Sequence, residues 1–137
     1  MSILNTYNTF YFVGIGGIGM SALARYFHYS GAKVLGYDKT NTKLTSALES
    51  EGIEICFEDN IDEKITSLDP EKTLVIYTPA IKQLDILNWL NENKFTILKR
   101  AKVLGLITKD TECFAVAGTH GKTTTSTLVA HLCQEAN

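Results

Sequence analysis

The chain has 137 residues, of which 45% are apolar and 20% charged, and a net charge of −2. That is enough for one domain with a real core, and too apolar for intrinsic disorder. The lysines are scattered and offer no basic field for a nucleic acid. No run of about 18 apolar residues suggests a membrane span, and no charged flank of a signal peptide precedes Arg25, the first basic side chain, so a cytoplasmic protein is expected. Cys56, Cys113 and Cys133 are odd in number, far apart and without C-x-x-C spacing. They are expected to be buried or incidental thiols, with neither a disulfide framework nor a zinc site.

Residues 1–8 form a polar leader without periodicity, and residues 10–15 read as a buried strand. A glycine turn follows, in which Gly14, Gly16 and Gly19 carry the G-x-G-x-x-G spacing, with Gly17 as one more position lacking a Cβ. The strand-to-helix setting is what makes this spacing meaningful. The first turn of a helix has amide groups without intrahelical partners, and the helix dipole adds positive charge there, so an anion docks at that end. Gly14 permits the tight turn, Gly16 lets backbone approach a pyrophosphate, and Gly19 lets helix and strand pack closely. Met20, Leu23, Ala24 and Phe27 recur as one apolar helical stripe until Gly31 stops the helix. A second strand at 33–37 ends on Asp38, 24 residues beyond Gly14, about where an acid contacts a nucleotide sugar. A ligand-free glycine turn is the bland alternative, and the motif leaves the nucleotide unspecified.

The pattern then continues to alternate. A helix is expected over 44–51, ended by Gly52, and a short strand over 53–57. The acidic stretch 58–63 reads as a solvated surface loop opening a short helix rather than a metal site. Residues 73–77 (TLVIY) have the β-branched and aromatic character of a central parallel strand. Thr78, Pro79 and Ala80 follow at its carboxyl end, the edge where open α/β sheets bind ligands, and form a second candidate wall of the site. A helix over 84–93 places Trp89 in a packing role, a strand over 95–98 ends on Lys99 and Arg100, and a helix over 101–108 closes the series. The two cations could meet a phosphate or be solvated. Five strands with intervening helices make an α/β fold, a Rossmann-like doubly wound parallel sheet, over residues 1–109.

A different unit opens at 110. A strand over 112–117 (ECFAVA) runs into Gly118, Thr119, His120, Gly121, Lys122, Thr123 and Thr124, followed by a helix carrying Leu128, Val129 and Leu132. This reads as a phosphate-binding loop: its amides wrap a phosphate, Lys122 reaches the outer phosphates, and Thr123 offers a hydroxyl to Mg²⁺. Val116 stands where the usual pattern has its first glycine, so the loop is shortened or differently opened. His120 either shapes the loop and contacts phosphate or faces solvent, and His28 and His131 are expected at the surface. Residues 110–137 are the start of a truncated ATPase domain in this reading, so the chain is expected to be a fragment without turnover.

FVGIGGIGMSALA near the start, YTPAI after the fourth strand, LKRAKVLGLI before the boundary and AGTHGKTTT at the end occur in that order. Together they resemble the amino-terminal part of the Mur ligase family, whose loop is G-T-x-G-K-T and so accounts for the missing early glycine. Within it the likeness is to the members that join L-alanine to UDP-N-acetylmuramate. The resemblance implies a cytoplasmic enzyme of peptidoglycan precursor synthesis in which the first domain binds the UDP part of the sugar and the second binds ATP and Mg²⁺. It would place Gly14, Gly16, Gly17, Ile18, Gly19 and Met20 at the UDP diphosphate, and Asp38 with Lys39 and Thr40 at the uridine. Thr78, Pro79, Ala80 and Arg100 would line the same cleft. Gly118 to Thr124 would hold ATP, with Lys122 as the catalytic cation and Thr123 on the metal. Three rivals stand beside it: a nicotinamide-dependent dehydrogenase, a noncatalytic nucleotide-sensing module, and the recycling ligase that joins a tripeptide to the same sugar.

Overall fold

The computed structural model describes residues 3–81 and 83–136. Five strands form one parallel sheet in the order β3-β2-β1-β4-β5: β1 (Thr9–Val13), β2 (Lys33–Tyr37), β3 (Glu54–Cys56), β4 (Thr73–Tyr77) and β5 (Thr96–Lys99). Between them run α1 (Ile18–Tyr29), α2 (Lys43–Ser50), α3 (Glu63–Thr66) and α4 (Asp85–Glu92); α5 (Arg100–Ile107) follows β5 directly. Strand order reverses between β1 and β4, and in such sheets the crevice at the carboxyl ends of those two strands is where ligands bind.

The alternation of side chains along β1 builds a core on each face. Phe10, Phe12 and Ile15 meet Met20, Leu23, Ala24 and Phe27 of α1, Leu48 of α2 and Val103 of α5. The Phe10 and Phe27 rings stack with centroids 3.8 Å apart. Tyr11 and Val13 point the other way, to Ile65, Val75, Ile86, Leu90 and Phe95. Trp89 packs at a tilt against Phe95, centroids 6.0 Å apart, as its packing assignment anticipates. The doubly wound reading therefore holds, with element ends shifted by one or two residues.

The acidic loop is more structural than a solvated run. The Asp62 carboxylate accepts from the Ile65 amide and caps α3, while Asp59 accepts from the amides of Asp85 and Ile86 at 2.9 and 3.0 Å and caps α4 from a distant loop. No cluster of three or more His, Cys, Asp or Glu side chains able to hold a metal occurs among the described residues. The thiols are not core residues: Cys56 is half-buried, and Cys113 and Cys133 are exposed.

The expected sixth strand is absent. Residues 112–117 have no ladder partner, and an unpaired strand has nothing to satisfy its backbone groups except water. The helix after it does form, as α6 (Lys122–Glu135), but it buries none of its residues and leaves Leu128 and Leu132 exposed, together with Phe114 in the preceding segment. Among the described residues no helix is long and apolar enough to cross a membrane.

Candidate functional site

The glycine loop leaves β1 with its backbone held from below: the amides of Gly14 and Ile15 donate to the Tyr37 carbonyl at 2.7 and 3.0 Å. Gly14 adopts φ +86°, a conformation that side chains resist, and a Cβ there would lie 2.5 Å from Cδ1 of Ile81. Ile81 belongs to the turn after β4, which is closed by its amide donating to the Thr78 carbonyl at 3.1 Å. The Thr78 methyl also faces Gly14, so the turn that starts at Thr78 and includes Pro79 and Ala80 lies beside the glycine loop. Pro79 and Ala80 themselves point to solvent.

Helix α1 opens at Ile18 with Gly17 as its N-cap and no side-chain cap. The Ser21 amide makes the first helical bond, to the Gly17 carbonyl at 2.8 Å, so the amides of Ile18, Gly19 and Met20 precede the intrahelical ladder. Met20 anchors the turn in the core while Gly17 and Ile18 stay exposed. The Arg100 guanidinium closes over this end, with Nη1 2.6 Å from where a Cβ on Gly19 would stand. Among the described residues Arg100 has no carboxylate partner. A cation held against the positive end of a helix is unfavourable by itself, and an anion between the two removes the repulsion. The pair therefore forms a candidate anion site with two kinds of donor.

Asp38 is tied to the backbone on both sides of the corner. Its Oδ2 accepts from the Gly16 amide at 2.7 Å and its Oδ1 from the Thr40 amide at 3.1 Å. A Cβ on Gly16 would stand 2.8 Å from Oδ2 and 2.9 Å from the Thr45 methyl. Lys39 and Thr40 are exposed beside it. At the base of this corner, burial and then the charges of Asp59 and Asp38 push the Tyr37 phenol up from its ordinary range.

Sequence reasoning did not single out Thr45, and it read Asp59 only as part of a solvated acidic loop. The Thr42 and Thr45 spacing was the available signal for the first, because a capping box pairs residues three apart at a helix start. Asp59 acts across 26 residues of chain, which no local pattern reveals.

The loop expected to bind phosphate, residues 118–124, lies in the exposed segment. Gly121 takes φ 77° as the N-cap of α6, Gly118 takes φ 152°, and the Lys122 ammonium donates to the Gly118 carbonyl, closing the loop on itself. His120 shares a hydrogen bond with the Thr119 hydroxyl at 3.2 Å and is exposed. The backbone amides of Thr123 and Thr124 belong to the first turn of α6. His28 is half-buried and His131 exposed.

The profile of the Mur ligase family, catalytic domain, matches residues 9–111. The chain is 56% identical over 134 residues to a UDP-N-acetylmuramate--L-alanine ligase of Flavobacterium psychrophilum, covering 97% of this chain and 30% of that protein. It is 50% identical to the protein of that name from Christiangramia forsetii, again over 30% of the relative. Among solved structures it resembles the UDP-N-acetylmuramate-alanine ligase of Thermotoga maritima at 34% identity and TM-score 0.77, covering 92% of this chain and 29% of that one. It resembles a murein peptide ligase of Psychrobacter arcticus at 28% identity and TM-score 0.78, covering 93% and 26%. The chain thus spans about 30% of the length of the curated relatives it matches. A profile match over most of the sequence, coinciding with the sheet and its glycine loop, places this chain in the Mur ligase family.

Proposed function

We propose that the chain is the amino-terminal portion of a cytoplasmic, ATP-dependent ligase that joins L-alanine to the lactyl carboxylate of UDP-N-acetylmuramate in peptidoglycan precursor synthesis. Residues 1–109 bind the UDP sugar, and residues 110–137 open the ATP-binding domain. The observation that carries the reading is the approach of the Arg100 guanidinium, without a carboxylate partner among the described residues, to the free amides of α1. A nucleotide diphosphate supplies the negative charge that this pair lacks.

In this reading the glycine loop from Gly14 to Gly19 lies along the diphosphate, Asp38 holds that loop in shape, and Lys39 and Thr40 stand at the uridine side. The residues from Gly118 to Thr124 fit a nucleotide phosphate: two glycines take positive φ, as a phosphate-cradling turn requires, and Lys122 is folded back onto the Gly118 carbonyl. Thr123 is the residue that would meet Mg²⁺. Bound ATP would supply the phosphoryl group that makes a carboxylate reactive toward an amine. Lys122 would offset charge on the transferring group, and the helix dipole of α6 adds to the same effect.

A dehydrogenase with this fingerprint is disfavoured because the family match and the similar proteins are ligases. The murein peptide ligase reading has a specific observation behind it, a fold match as good as that to the alanine ligase. The higher identities to proteins named as alanine ligases favour the first reading. Calorimetric titration of the chain with UDP-N-acetylmuramate, and separately with NAD, tests the site. Saturable binding of the sugar, weakened about tenfold by Arg100→Ala and partly restored by Arg100→Lys, is expected from the loss of one charge-assisted contact. Binding of NAD without response to the sugar overturns the reading. Comparing L-alanine with a tripeptide as acceptor in the longer ligase separates the two ligase readings.

A further inference from the structure

Thr45 sits at the third position of α2, where a capping threonine ordinarily faces water, yet it is 0% exposed. Its two arms go to different loops. The hydroxyl accepts from the Thr42 amide at 2.8 Å and donates to the Thr42 carbonyl at 2.9 Å, with Asn41 Oδ1 as a longer alternative acceptor at 3.3 Å. The methyl turns toward Gly16, filling the space that a Cβ there would need. On the other side of Gly16 stands the Asp38 carboxylate, which also holds the Thr40 amide. Gly16 is therefore pinned between a carboxylate and a methyl that both belong to the chain following β2.

We propose that Thr45 is a positioning residue of this site: its buried side chain clasps the glycine loop to the loop of residues 38–42, so that both grip one nucleotide-sugar diphosphate as a unit. The identity of the ligand rests on the function proposed above; the clasp itself rests on the geometry. The glycine loop leads into the free amides of Ile18, Gly19 and Met20 that face the diphosphate, and the 38–42 loop borders the nucleoside. A ligand spanning both needs their separation held, and two loops with independent motion would each lose entropy on binding. Thr45 removes that cost in advance by tying Thr42, and through Asp38 and Gly16 the glycine loop, to the start of a helix anchored in the core by Leu48.

The test compares Thr45→Val, which keeps the methyl and loses the hydroxyl, with Thr45→Ser, which does the reverse. Amide hydrogen exchange is read by NMR on the 137-residue chain, and UDP-N-acetylmuramate binding by calorimetry. In the valine variant the Thr42 and Gly16 amides are expected to exchange about tenfold faster, while amides of β1 and β4 keep their rates, since the opening is local. Affinity for the UDP sugar should fall about fivefold, because loops no longer preorganised must be ordered on binding. In the serine variant the Thr42 amide keeps its protection and Gly16 exchanges about threefold faster, a result that stands even if the valine variant unfolds. A Gly16 amide exchanging at the wild-type rate in both variants overturns the clasp, since a mere helix cap would leave that amide untouched. A wild-type chain that does not bind the UDP sugar refutes the ligand reading, while exchange at Gly16 still decides the clasp.

Discussion

Gly16→Ala adds a single methyl between two anchored side chains of the site. Gly16 is not in the left-handed region, so the cost is steric rather than a backbone penalty. The new Cβ would stand 2.8 Å from Asp38 Oδ2 and 2.9 Å from the Thr45 methyl, and no single shift relieves both contacts. Moving Asp38 away breaks its 2.7 Å bond from the Gly16 amide, a charge-assisted bond worth about 1.5 kcal/mol at a half-buried position. Moving Thr45 disturbs a packed threonine, and overpacking of this kind costs about 1–3 kcal/mol. The expected destabilisation is about 2 kcal/mol, with a loss of UDP-N-acetylmuramate affinity of tenfold or more. Gly17→Ala is the internal comparison. Its Cβ would meet nothing nearer than 3.7 Å, so urea denaturation should place it within about 0.5 kcal/mol of the parent, as weaker capping and reduced unfolded-state entropy offset each other. Urea denaturation and calorimetry of both variants read the two effects. An alanine at 16 that is as stable as the alanine at 17 and binds the UDP sugar normally would refute the account of this corner.

Removing the Asp59 carboxylate by Asp59→Ala takes from α4 its only side-chain cap among the described residues and should cost about 1–2 kcal/mol in chemical denaturation, with Asp59→Asn recovering part of it. Lys94→Gly should raise stability by about 0.5–1 kcal/mol. Lys94 occupies φ 63° just past α4, where glycine avoids the Cβ penalty and loses some of that gain to unfolded-state entropy. The Tyr11 hydroxyl is buried without a hydrogen-bond partner among the described residues, and burial first, then nearby negative groups, raises its pKa. Because the folded pKa lies above the unfolded one, its contribution is complete below about pH 10 and is lost as pH rises, by up to about 1.4 kcal/mol per pH unit. Melting curves of the parent and Tyr11→Phe should therefore diverge above about pH 10, the phenylalanine variant losing less stability. Parallel pH profiles would remove Tyr11 as the cause.

The doubly wound sheet and its glycine loop were legible in the residues because they rest on local rules. Side chains of period two and 3.6 mark strands and helices, and a glycine spacing next to a strand requires a turn that only glycine permits. The order of the motifs along the chain carried the family. The sequence alone could not show where Asp38 and Arg100 direct their charge. Asp38 is turned inward by an amide 22 residues away in sequence, and Arg100 is laid across α1 by the packing of α5 on the same face of the sheet. Asp59's capping role and the contact of the Thr45 methyl with Gly16 escaped notice for the same reason, since contacts between distant segments leave no periodic trace. The strand expected at 112–117 shows the converse. Its composition suits a strand, but a strand exists only when another backbone satisfies its amides and carbonyls, and the sheet of this chain offers it none.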